Sequence, residues 1–62
     1  MKELKKFEQH TICKLSEREK KDRATTYNYV AVPNDEMSNT SNFRAVDWES
    51  DSIEELVEWC ES

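Results

Sequence analysis

Not one of the 62 residues is glycine, and that absence limits this chain more than any motif it carries. Glycine supplies the positive φ that two-residue hairpin turns and many helix ends require. It also lets backbone approach a phosphate closely, so phosphate-cradling loops and the dinucleotide-binding fingerprint are excluded. Positive-φ positions then fall to asparagine, the next most tolerant residue, with Asn34, Asn39 and Asn42 as candidates.

Sixty-two residues allow a single domain, 1–62. Leu, Ile, Val and Phe together number eleven, a thin supply for a core. Tyr27, Tyr29, Trp48 and Trp59 compensate, since a packed aromatic buries about 150–250 Å². A second copy or a tight partner would add the stability that such small scaffolds need. Cys13 and Cys60 are the only cysteines, too few for a secreted disulfide scaffold of this size. The start, Met-Lys-Glu-Leu-Lys-Lys, has no apolar signal-peptide segment behind it, and no run of about 20 apolar residues spans a bilayer. The expectation is a cytoplasmic protein with reduced thiols, no membrane contact and no use for the Asn39-Thr40-Ser41 glycosylation triplet.

Residues 5–16 fit either a helical stripe (Phe7, Thr11, Leu15) or a strand face (Phe7, Thr11, Cys13, Leu15), and the β-branched pair Thr11-Ile12 favours strand. Residues 16–24 hold no large apolar side chain and read as an exposed connection or a polar hairpin tip. Thr25 to Val32 is the clearest strand, with Tyr27, Tyr29 and Ala31 on one face and Val30 and Val32 on the other. A polar loop spans 33–42, and Phe43 to Trp48 alternates as a third strand. Ser52-Ile-Glu-Glu55 matches a capping box, followed by Ile53, Leu56, Val57 and Cys60 at helical spacing. The predicted fold is α+β: a three-stranded antiparallel meander (β-β-β-α) with one C-terminal helix packed on one face.

Charge is sharply polarised. Residues 1–34 carry eight bases and five acids, whereas 35–62 carry nine acids and one base, Arg44. The basic run Arg18, Lys20, Lys21, Arg23 is interrupted by Glu17, Glu19 and Asp22, which disfavours direct nucleic-acid binding because phosphates require uncompensated charge. The acidic half offers Trp48, an aromatic of the kind enriched at binding hot spots, beside Glu49 and Asp51. Glu54, Glu55 and Glu58 follow on the helix. These six residues form the expected partner-binding surface; the competing reading makes them the ordinary solvated face of an amphipathic helix.

Catalytic and metal chemistry find little support. His10, Cys13, Cys60 and Glu61 supply only one short ligand pair, and strand geometry sends His10 and Cys13 to opposite faces. No glycine-rich oxyanion turn accompanies a Cys–His pair. The sequence therefore reads as a non-enzymatic inhibitor or regulator without a cofactor, of the kind phages and mobile elements encode. Its expected target is a host enzyme or defence protein, engaged through the acidic surface, with nucleic-acid mimicry as one form of that engagement. The alternative is a structural or adaptor subunit that forms a homodimer or a permanent complex.

Overall fold

A computed structural model describes residues 1–39 and 44–61. Four strands form one antiparallel sheet in the order β1-β2-β3-β4: β1 Lys2–Lys6, β2 His10–Lys14, β3 Tyr29–Pro33 and β4 Trp48–Ser50. Helix α1 (Glu17–Asp22) links β2 to β3, and α2 (Ile53–Glu61) closes the chain after β4. The meander and the C-terminal helix are as expected, but the sheet has four strands rather than three. The added strand, β1, reads Lys-Glu-Leu-Lys-Lys and is exposed along its whole length. A strand solvated on both faces carries no apolar alternation, so it is silent to a search for periodicity. Its lysines suit a sheet edge, where charge discourages pairing with other chains.

β2 and β3 are the centre, paired in continuous register from His10↔Pro33 to Lys14↔Tyr29. Alternation sends Ile12 and Ala31 to one face, where they pack with Leu56 of α2, and Phe7, Tyr29, Val57, Trp59 and Cys60 complete that cluster. Cys13, Leu15, Val30 and Val32 fill the other face, covered by Met1, Met37 and Val46. The Tyr29/Ala31 and Val30/Val32 division thus follows the sequence pattern. Phe7 departs from it, because the Glu8–Gln9 turn intervenes and places it with Ile12 rather than with Cys13. Leu56 is fully buried, and removing such a leucine side chain costs about 2–5 kcal/mol. Ile53 is instead 40% exposed, so it lies at the margin of the stripe expected to face inward.

The outer ends of two expected strands are drawn into other bonds. Before β3, the Tyr27 amide donates to Thr25 Oγ1 and the Asn28 amide to Asp51 Oδ1. Before β4, the Ala45 amide donates to Glu36 Oε1, and Arg44 is anchored by donating to the Asn39 and Met37 carbonyls. Pairing with β3 consequently begins at Trp48. Asn42 and Phe43 lie outside the described residues.

Residues 17–22 form a helix rather than a connection because both ends are capped. Ser16 accepts the Glu19 amide while the Glu19 carboxylate accepts the Ser16 amide, a complete capping box. At the other end the Thr25 amide bonds to the Lys20 carbonyl and the Ala24 amide to the Lys21 carbonyl, the paired bonds of a Schellman motif. That motif needs a left-handed residue after the cap. Ala24 fills it at φ 54° and is the one non-glycine residue with positive φ among those described. Asn34 takes a different role from the one expected. Its Nδ2 donates to the Phe7 and Glu8 carbonyls and its Oδ1 accepts from the Thr11 hydroxyl, pinning the glycine-free β1–β2 turn from outside.

Left-handed alanine costs about 1–2 kcal/mol, and glycine's extra unfolded-state entropy returns about 0.5–1 kcal/mol of that. Ala24→Gly is therefore expected to raise stability by roughly 0.5–1 kcal/mol, read as a higher urea midpoint at unchanged slope.

Glu19 is buried and accepts from the Met1 α-ammonium at 2.7 Å. Burial pushes its carboxyl up, but the bonds from the ammonium and from Ser16 outweigh that and hold it below the ordinary range. A carboxyl lowered in the folded state stabilises the fold above its unfolded-state pKa, and that contribution is lost as pH falls through the folded value. Glu19→Gln should cost about 1–3 kcal/mol at pH 7. In urea titrations at stepped pH, its deficit against the parent should shrink below about pH 4.3.

Candidate functional site

The seam between α2 and β4 brings the two tryptophans together beside carboxylates of the acidic half. Leu56 fixes the helix against Ile12 and Ala31, and the turn that follows brings Trp59 beside Trp48. Their rings stack at 6.2 Å with 12° between planes, within the range of favourable offset stacking. His10, at the start of β2, meets Trp59 edge-on at 4.8 Å. Its Nε2 donates to Asp47 Oδ2 at 2.7 Å, since a carboxylate only accepts. Trp59 is partly buried, whereas Trp48 remains 45% exposed on the helix side of the sheet.

The six residues expected to form one surface divide into two groups. Glu49 pairs opposite Val30, so pleating turns it to the face away from Trp48, where its Oε2 accepts from the Thr25 hydroxyl at 3.2 Å. Asp51 Oδ1 accepts from both the amide and the side chain of Asn28. Glu55 accepts from the Ser50 hydroxyl, and the Ser52 amide donates to Ser50 Oγ. The expected Ser52–Glu55 box is therefore half formed, with Ser52 Oγ accepting the Glu55 amide and Ser50 relaying the other half. Glu54 and Glu58 remain as exposed carboxylates on the outer side of α2. Trp48, Glu54 and Glu58 are free to face a partner, while Glu49, Asp51 and Glu55 tie the fold together.

Two cavities flank the seam. One, of about 240 Å³, is lined by Glu8, Gln9, His10, Trp59, Cys60 and Glu61. The other, open and of about 420 Å³, lies between Tyr27 and Trp48 and is completed by Val46, Asp47 and Glu49. Tyr27, His10, Asp47 and Trp59 were not among the expected site residues. Asp47 adjoins Trp48 in the sequence, but the others arrive from distant segments.

Cys13 and Cys60 belong to clusters on opposite faces of the sheet and are free thiols. Burial raises both thiol pKa values, and Glu61 adds to the effect at Cys60, which lowers the reactive thiolate fraction. Among the described residues no group of three or more His, Cys, Asp or Glu side chains could hold a metal ion. Nor is any described helix long and apolar enough to cross a membrane. On α1 the basic side chains are interleaved with acids, as in Lys20–Glu17 at 3.0 Å and Arg18–Asp22 at 4.0 Å. Comparison of the chain with family models, curated proteins and solved structures finds no match.

The two tryptophans differ in what they support. Trp59→Ala opens the seam and should destabilise by about 2–4 kcal/mol, whereas Trp48→Ala should cost under about 1 kcal/mol. Urea unfolding followed by far-UV circular dichroism, which needs neither indole, measures both.

Proposed function

We propose that this chain is a non-enzymatic protein-binding regulator or inhibitor that docks through Trp48 and the outer carboxylates of α2. The observation that carries the reading is the half-exposed Trp48 held rigid by stacking on Trp59. Tryptophan is enriched among interface hot spots, and a pre-ordered anchor loses little conformational entropy on binding. Glu54 and Glu58 add charge without a structural partner of their own among the described residues, so the favoured partner surface is basic. A host nucleic-acid-processing or defence enzyme, met by a phage- or mobile-element-encoded chain in the cytoplasm, is the target class that fits this chemistry. Mimicry of nucleic acid is the narrower version of the proposal.

The homodimer reading has less behind it at the exposed edge. Pairing β1 with a second β1 would set Lys2, Lys5 and Lys6 against their own kind, and facing like charges destabilise a sheet.

Reversal of Glu54 and Glu58 to lysine tests the proposal without touching Glu55, whose carboxylate serves Ser50. With a partner isolated from lysate, the double variant should keep its melting temperature within a few degrees and lose about tenfold or more in affinity. Parent affinity should fall as salt rises. Undiminished binding by the double variant would leave the outer face of α2 as solvated surface only.

A further inference from the structure

We infer that the open cleft between Tyr27 and Trp48 receives an arginine side chain of the partner protein. The inference rests on the protein-binding reading above and names the chemistry of the partner's anchor.

The cleft is lined by two aromatics, each 45% exposed, and by Val46. Asp47 and Glu49 also line the cleft, which wraps the β4 edge, with Trp48 on the helix side of the sheet and Glu49 on the other. Each carboxylate is oriented through one oxygen, Asp47 by His10 and Glu49 by Thr25, and the second oxygen of each makes no hydrogen bond among the described residues. A long side chain with an apolar stem and a planar cationic head matches this lining. The stem covers Val46, the guanidinium lies against an indole or phenol face, and its N–H fork reaches carboxylate oxygens.

Charge complementarity removes the other occupants. Phosphates are repelled by Asp47 and Glu49, and a neutral apolar group would desolvate two carboxylates without pairing them. At about 420 Å³ the cleft is near the lower end of small-molecule sites, about 300–1,000 Å³, and it is open, as befits a side chain delivered on a partner's surface. It also lies along β4, an edge of the sheet, where a partner backbone can approach. The lysines of β1 from a second copy are a poorer match. They lack the planar fork, and joining β1 to β4 leaves an unused edge at each end, so such association would not close.

The probe is a capped seven-residue glycine–serine peptide with a central arginine, titrated into the ¹⁵N-labelled chain and compared with versions carrying lysine or citrulline. Citrulline keeps the shape and removes the charge. The arginine peptide should shift the Trp48 indole N–H saturably, with Kd in the range of about 1–10 mM, and bind roughly tenfold more tightly than the citrulline peptide. Lysine should fall between them. Glu49→Gln and Tyr27→Ala, with circular dichroism confirming the fold, should each weaken the arginine peptide about two- to fivefold. Glu3→Gln, on exposed β1 at the opposite edge of the sheet, should leave it unchanged.

Equal binding of arginine and citrulline, indifference to both cleft variants, or no saturable shift up to about 50 mM would overturn the inference. Light scattering that finds concentration-dependent growth of the chain alone, abolished by Glu49→Gln, would give the cleft to a second copy and also overturn it. Should the Glu54/Glu58 reversal abolish partner binding while the arginine peptide fails to bind, only the cleft assignment falls. If the peptide binds as expected but the reversal leaves partner binding intact, it is the α2 reading that fails.

Discussion

The β2–β3 pair is buried on both faces, and the rest of the molecule is arranged to satisfy that demand. Ile12 and Ala31 look one way, Cys13, Val30 and Val32 the other, and all five are fully buried. A chain of 62 residues cannot place a full layer on each side. It therefore uses α2 on one face and single side chains, Met1, Met37 and Val46, on the other. Arg44, the one base of the acidic half, secures that second cover. Its guanidinium donates to the Met37 carbonyl and lies about 4 Å from the sulfurs of Met1 and Met37. A side chain that looks like a stray charge in the sequence is a clamp over a thin half-core.

The missing glycine has a similar consequence. Where a hairpin or helix end would normally relax into a left-handed residue, this chain either bears the strain, at Ala24, or imports hydrogen bonds from elsewhere, at Asn34. The imported bonds link the β1–β2 turn to the end of β3. Local turn chemistry has been replaced by long-range contacts, so the β1–β2 turn is held by a residue at the end of β3.

This explains which elements could be read in advance. Helix α2 is legible because Ile53, Leu56, Val57 and Cys60 recur at helical spacing, of which Leu56, Val57 and Cys60 pack on the sheet, and β3 because its two faces carry distinct apolar sets. β1 and α1 were not, since between them only Leu4 is a large apolar side chain. They exist through edge pairing and through caps. The caps themselves were visible: Ser16-Glu-Arg-Glu19 is the same signature read at Ser52–Glu55, and it is the copy that forms completely. At the candidate site, Trp48 announced itself as an aromatic among acids. The His10–Asp47 bond did not, because it joins residues 37 apart in sequence and no local pattern encodes such a contact.

The acidic half also has to be divided before its charge is interpreted. Asp47, Glu49 and Asp51 alternate along the β4 segment, and each reaches back to an earlier part of the chain: His10, Thr25 and Asn28 respectively. A three-residue edge strand has few ladder bonds to hold it, and these three carboxylates supply the missing attachment. Part of the negative charge that dominates the composition is therefore internal tethering rather than display. The same tethers fix the backbone on either side of Trp48, and Trp59 fixes its ring. On the proposed reading the indole is presented in a set orientation without the partner having to order it, and that saving in conformational entropy would let a single exposed aromatic contribute to binding. A thin core and the proposed binding face thus draw on one set of contacts. Weakening the β4 tethers would loosen the fold and blur the anchor together.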